Sequence, residues 1–291
     1  MFKRNIPLLI STTFALLTGI ILGQVGTTEF PAGAQSARQS SPFPMALRTG
    51  GNLYLQASAE FQAACLQIYR CAGDRLRKIM TNQELAGRRP AVVMDLDETV
   101  FDNSAFQTYL YRTGQEYSDE LWRNYERDFA RDVTLIPGAK QFIDEATALG
   151  VCVVFLSNRS ETNRASTVSA LRRLEVSGDD VEQRLYLKAD GASSDKTSRR
   201  DRVAARYTVL LYVGDNLRDF AEDFAAPLVA DDSNPPDVLA AISTRKAEVE
   251  RSAFHWGTDW FILPNPVYGE WDKLITVEPK LLMHSTSMSA P

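Results

Sequence analysis

The chain has 291 residues, 44% of them hydrophobic and 24% charged, an ordinary globular balance that permits one large α/β domain or two small ones. A net charge of −5, with no Lys/Arg cluster to outweigh it, argues against a nucleic-acid polymer as partner. Three cysteines make no disulfide framework, so stability must come from the core and from bound groups.

Lys3 and Arg4 precede an uncharged, largely apolar run from Ile6 to Gly23, and Ala32-Gly33-Ala34 offers small residues for cleavage before Gln35. Residues 1–34 therefore read as a secretory signal peptide, with the product periplasmic or secreted. The same run sits at the lower limit for a spanning helix, and if retained it would anchor the protein to a membrane. Residues 35–52 are polar and rich in Ser, Pro and Gly, the composition of a flexible leader. Phe61, Cys65, Ile68, Ala72, Leu76 and Ile79 then recur at helical spacing, and Gly87 and Pro90 close that helix region. Cys71 and Arg77 match the Cys-x5-Arg spacing of cysteine phosphatases. They fall inside this helical stripe, however, and not on the strand-to-helix loop that such a thiolate needs.

Ala91-Val92-Val93-Met94 is a short apolar strand that runs straight into Asp95-Leu96-Asp97. Side chains alternate along a strand, so two carboxylates one residue apart share a side only where the strand ends and a tight loop begins. Such an acidic pair is relieved by a cation between its members or by a proton on one of them. Residues 104–130 read as short helices rich in aromatics, among them Trp122 and Tyr125. Pro137-Gly138 opens a helix that Gly150 closes, and the strand 151–156 follows and enters Ser157-Asn158-Arg159. A helix over 161–174, the strand 185–188, a polar loop ending at Lys196 and a helix around 199–206 come next. The strand 209–213 then enters Gly214-Asp215-Asn216-Leu217-Arg218-Asp219. Near-continuous apolar strands alternating with helices indicate a doubly wound parallel sheet covered on both faces. A fifth strand is expected at 227–230, a long helix at 236–252 and a loose tail over 273–291.

Four polar sites thus follow four strands in order: Asp95/Asp97, Ser157, Lys196 and Asp215/Asp219. Each alone has a bland explanation as a helix cap, a turn or a surface lysine, but capping does not account for all four at one sheet edge. The segments DLDETVFDN, PGAKQF, SSDKTSRR, LYVGDNLRDF and FILPNPVYGEW resemble those of the haloacid dehalogenase (HAD) superfamily of aspartate-nucleophile phosphatases. Within it they are closest to the bacterial class C acid phosphatases, which include the lipoprotein 5′-nucleotidases. The similarity spans roughly residues 53–272, and it implies a Rossmann-like HAD domain with a small helical cap from about 53–88 and 103–132.

The resemblance also implies roles. Asp95 would be the nucleophile that forms an aspartyl-phosphate, and Asp97 the acid/base. Ser157 and Lys196 would bind phosphoryl oxygens. Lys188, at a strand end, is the other candidate lysine, because Asp195 is inserted into the family's lysine pattern. Mg2+ would be held by Asp95, the Asp97 carbonyl and Asp215, with Asp219 as an outer or water-mediated ligand. Asn158, Arg159, Trp122, Tyr125 and Tyr268 would contact the substrate, a small phosphomonoester, with a nucleoside monophosphate favoured. The aromatics read equally well as core residues, and Asp102 and Asn103 as structural supports of the loop into the cap. No cysteine occurs in the first 64 residues, which departs from the lipoprotein members. A broad-specificity phosphatase or phosphotransferase and a non-catalytic storage protein on the same scaffold are the alternatives. The oligomeric state, a homo-oligomer included, is open.

Overall fold

The structure is a computed structural model, and it describes residues 45–81, 87–176, 178, 180–227 and 233–285. The expected signal segment lies outside the described residues, as do the first ten positions of the leader and most of the strand expected at 227–230. Among the described residues no helix is long and apolar enough to cross a membrane.

Helix α1 (Met45–Ala57) and helix α2 (Ala59–Met80) open the described chain, separated at Ser58, whose hydroxyl caps α2 by accepting the Phe61 N–H at 2.9 Å. The leader therefore ends earlier than its composition indicates. Asn52 is buried in α1 and donates to the Ser104 carbonyl at 3.2 Å and to Thr108 Oγ1 at 2.9 Å. Helix α2 buries Phe61, Cys65, Tyr69, Ala72 and Leu76, close to the stripe expected from its spacing.

Strand β1 (Pro90–Met94) is followed by a small hairpin sheet, β2 (Phe101–Asp102) with β3 (Thr134–Leu135), which brackets helices α3 (Ser104–Thr113) and α4 (Asp119–Asp128). Helix α5 (Ala139–Ala148), strand β4 (Cys152–Ser160), helix α6 (Arg164–Arg173), strand β5 (Leu185–Lys188), helix α7 (Thr197–Ala204) and strand β6 (Thr208–Gly214) alternate next. Helix α8 (Pro235–Arg251) and strand β7 (Trp260–Ile262) complete the fold. The main sheet is parallel, in the order β5-β4-β1-β6-β7. Among the described residues its fifth strand is β7, a three-residue edge just before the Pro-Asn-Pro segment.

Alternation along the strands sends Val92, Met94, Val153, Phe155, Leu211 and Val213 to one face, where they share a core with α2, α5 and α6. Ala91, Val93, Val154, Leu156 and Tyr186 face the other way, onto Val203 of α7. Helix α2 packs on α5 and on the sheet, so it belongs to the layers of the main domain, and the cap assigned to 53–88 does not include it. α1 does lie against α3. The tail is also partly anchored: Leu274 is buried in a short 3-10 turn at Asp272–Leu274.

Candidate active site

Strand β1 sits between β4 and β6, so the carboxyl ends of three neighbouring strands open on one crevice. The β1 end is shaped by a tight loop in which the Leu96 carbonyl accepts from Thr99, Val100 and Phe101 N–H groups at 2.7–3.3 Å. Glu98 takes a left-handed φ of 56° there, a conformation rare for a side chain of this size. Its carboxyl is 3% exposed and accepts the Asn103 N–H at 3.0 Å, and burial pushes its pKa well up, with Asp97 and Asp215 adding to the effect. Helix α2 braces the loop through the Tyr69 hydroxyl, which donates to the Thr99 carbonyl at 2.6 Å.

At the β6 end, Gly214 leaves room for Asp219: a Cβ at 214 would lie 2.4–2.8 Å from the Asp219 carboxylate and Cβ. Asp219 folds back to accept the Asn216 N–H at 2.9 Å, closing a capping box on the turn Leu217–Asp219. Asp215 accepts from Thr99 Oγ1 at 3.0 Å and from Asn265 Nδ2 at 2.9 Å.

Asp95, Asp215 and Asp219 bring ligand oxygens within 4.8 Å of one another. Lys196, 3% exposed, reaches between them: its Nζ donates to Asp95 Oδ1 and Asp219 Oδ1 at 2.6 Å each, and to the Leu156 carbonyl at 3.2 Å. The two aspartates outweigh burial and keep the Lys196 ammonium protonated above its ordinary range. The three carboxylates still exceed it in charge. Burial, together with Asp219 and Asp97, pushes Asp95 up to about 7 against the pull of Lys196. Burial, with Asp219 and Asp95 adding to it, holds Asp215 well above the usual carboxylate range. Three carboxylates against one ammonium leave two negative charges, which one divalent cation would neutralise. The oxygen-only donor set fits a hard ion of that charge.

Lys196 and not Lys188 joins the cluster. Its loop is clamped by Arg199, which donates to the Ser157 carbonyl at 2.5 Å, to Asn158 Oδ1 at 2.6 Å and to the Asp195 carbonyl at 3.1 Å. Glu222 accepts the Lys196 N–H at 2.6 Å from the other side. Replacing Lys196 by Met would strand two buried carboxylates. In metal-free buffer at neutral pH it is expected to cost about 3–5 kcal/mol of stability, read from urea unfolding; an unchanged midpoint would show the ammonium to be dispensable to the fold.

Asp97 leaves this cluster and turns toward β4. Arg159 Nε donates to its Oδ1 at 2.8 Å, Arg159 Nη2 lies 2.7 Å from the same oxygen, and Asn103 Nδ2 donates to it at 3.0 Å. Ser157, fully buried, places its Oγ 3.5 Å from Asp97 Oδ2 and accepts the Arg159 N–H at 3.1 Å. Strand β4 runs on to Ser160, four residues past the expected end at Leu156, so Ser157, Asn158 and Arg159 lie on extended backbone. Arg159 has no exposed surface, and its guanidinium is bonded to Asp97 and Asn103. Asn158 is half-buried and occupied by Arg199.

Trp122 and Tyr125 form an aromatic cluster with Phe106 and Phe129, and the Trp122 ring lies 5.6 Å from the Arg159 guanidinium carbon. Tyr125 is 6% exposed and mainly a core residue, whereas Trp122 is half-buried. Tyr268, also half-buried, follows Asn265 and gives its N–H to that side chain at 3.4 Å, which ties it to the Asp215 side of the crevice. Sequence reasoning missed Asn265, Thr99, Arg199 and Glu222 as supports. Thr99, Arg199 and Asn265 were visible only as members of resembling segments. A groove of about 830 Å3 runs beside β5 and α7, but none of Asp95, Asp97, Asp215 or Asp219 lines it. The chemistry, not that volume, locates the site.

The sequence model of one family, described as HAD superfamily, subfamily IIIB (acid phosphatase), matches residues 11–271. Among solved structures, the class C acid phosphatase from Bacillus anthracis is similar at 26% identity and a TM-score of 0.64, with 78% of this chain and 87% of that chain covered. The same protein with tungstate bound is similar at 27% identity and a TM-score of 0.64, with the same coverage.

Proposed function

We propose, on the premise that the chain belongs to subfamily IIIB of the HAD superfamily, the acid phosphatases, that it is an exported, Mg2+-dependent enzyme hydrolysing nucleoside monophosphates through a phosphorylated Asp95. Phosphomonoesterase activity comes with membership; the metal, the substrate class, export and the residue roles are the proposal. The observation that carries it is the buried Lys196 ammonium, bonded at 2.6 Å to both Asp95 and Asp219 beside Asp215.

Asp95 Oδ2 attacks phosphorus while the ester oxygen departs, and the proton on Asp97 goes to that oxygen. The Asp97 carboxylate then takes a proton from water, whose oxygen attacks the aspartyl-phosphate, and the bonding pair returns to Asp95. Lys196 and Ser157 stabilise the phosphoryl oxygens where negative charge is greatest. Bound among Asp95, the Asp97 carbonyl and Asp215, with Asp219 outside, the divalent ion would supply positive charge for the phosphoryl group and orient Asp95. Hard oxygen donors support magnesium. Export rests on the basic start, apolar run and small-residue site of residues 1–34.

Base recognition is supported by the half-buried rings of Trp122 and Tyr268 on the Asp97 and Asp215 sides of the crevice. Turnover of 5′-AMP, 3′-AMP and an aryl phosphate tests it. A stacked base contributes on the order of 1–3 kcal/mol, so kcat/KM for 5′-AMP is expected to exceed the other two by about tenfold or more. Equal values on all three would remove the nucleotide preference and leave a broad-specificity phosphatase.

A further inference from the structure

Arg159 is a fully buried cation of the site whose purpose the phosphatase reading does not assign. Its guanidinium is closed in on every side. The Phe101 ring lies 4.8 Å and the Trp122 ring 5.6 Å from its central carbon. Nε and Nη2 converge on Asp97 Oδ1 at 2.8 and 2.7 Å. Nη2 also donates to Asn103 Oδ1 at 3.0 Å, and Asn103 Nδ2 returns to Asp97 Oδ1 at 3.0 Å. The three side chains thus form a closed ring of charge-assisted hydrogen bonds. Asn103 is itself fully buried, fixed at the start of α3 by its N–H to Glu98.

The ring treats the two oxygens of Asp97 differently. Among the described residues, Oδ1 receives the strong donors, whereas Oδ2 has only the Ser157 hydroxyl at 3.5 Å. We infer that Arg159, with Asn103, is a positioning residue that anchors Asp97 by Oδ1 and so leaves Oδ2 as the oxygen that delivers the proton to the leaving group. In this role Arg159 acts through Asp97 and not on the substrate itself. Rigid presentation of the proton matters because a misplaced acid loses its advantage steeply with distance and angle. The inference rests on the reading of Asp97 as the acid.

The test uses metal-loaded full-length protein and kcat/KM, which reports the steps through departure of the leaving group. One probe is p-nitrophenyl phosphate, whose phenolate leaves without a proton; the other is glycerol 2-phosphate, whose alkoxide does not. Arg159→Lys keeps the charge but cannot hold Asp97 and Asn103 together. It is expected to lower kcat/KM about 100-fold on glycerol 2-phosphate and by less than about tenfold on p-nitrophenyl phosphate. The inhibition constant for tungstate should not move. Asn103→Ala opens the ring from its other side and is expected to show the same split, which decides the matter if the Lys variant does not fold.

Equal losses on both substrates with weaker tungstate inhibition would make Arg159 a substrate contact. Equal losses with a lowered melting temperature and unchanged tungstate inhibition would make it structural. Either result overturns the inference. Asp97→Asn is the reference: if it shows no split, the acid assignment itself fails, and if it alone shows the split, only the anchoring role fails.

Discussion

Asp95→Asn protein is expected to fold normally and to hydrolyse phosphomonoesters at least about 10^4-fold more slowly than wild type, because an amide oxygen is no substitute for a nucleophilic carboxylate. The other carboxylates of the crevice are committed elsewhere. Asp97 is tied to Arg159 and Asn103, Asp215 to Thr99 and Asn265, and Asp219 to Lys196 and the Asn216 N–H. Among the described residues, the hydrogen bond to the Asp95 side chain goes to Oδ1, from Lys196, which leaves Oδ2 for attack on phosphorus. Folding is expected to survive because Asn keeps the shape and offers Lys196 an acceptor while removing one buried negative charge. Acid quenching with labelled substrate should trap a phosphorylated wild-type enzyme and no label on the variant. Turnover near the wild-type rate, or label on the variant, would move the nucleophile to another residue.

The sheet was legible because each apolar run ends abruptly in a polar residue. Strand β5 falls on the expected residues 185–188, and β1 and β6 extend the expected strands by one residue or two. The ordered polar ends then placed Asp95, Ser157, Lys196 and Asp215 in one crevice, since parallel strands deliver their carboxyl ends to the same edge. What composition and periodicity do not carry is which neighbour an element meets. The stripe of α2 was visible, but nothing in its spacing says that it packs on the sheet and not over the site. Likewise Gly50 and Gly51 speak against a helix in the leader. The tertiary structure wants Gly51 all the same, since a Cβ there would meet the Pro266 carbonyl oxygen at 2.3 Å.

Arg159 shows the same limit inside the site. A positive residue after Ser157 reads as a substrate contact, because its partner Asp97 is 62 residues away in sequence. The strand continuing through Ser160 turns the guanidinium inward between Phe101 and Trp122. Strand β7 was not read as a strand for a simpler reason: three residues are too short a run to stand out beside a Pro-Asn-Pro segment.

Removal of the divalent ion is expected to abolish turnover and to make stability fall with rising pH. Burial, Asp219 and Asp97 raise Asp95 from 3.8 to about 7 in the metal-free site, and Asp215 is raised as well. An acid whose folded pKa lies above its unfolded value favours folding while both states hold the proton. That contribution is whole below about 3.8 and is lost as pH climbs through about 7. Chelator-treated protein should therefore melt at a progressively lower temperature between these limits. Added Mg2+ reverses the loss at neutral pH, where the carboxylates are free to bind it: at a hundred times its dissociation constant the gain is about 3 kcal/mol, or roughly 5–10 °C for a domain of this size. Asp95→Asn separates the causes, because it removes a titrating group and a ligand together. Its pH slope should be shallower than that of wild type, and its response to Mg2+ weaker. If metal-free and Mg2+-loaded wild type melt together at pH 7, or if chelation leaves turnover intact, the excess negative charge in this crevice is not balanced by a divalent ion.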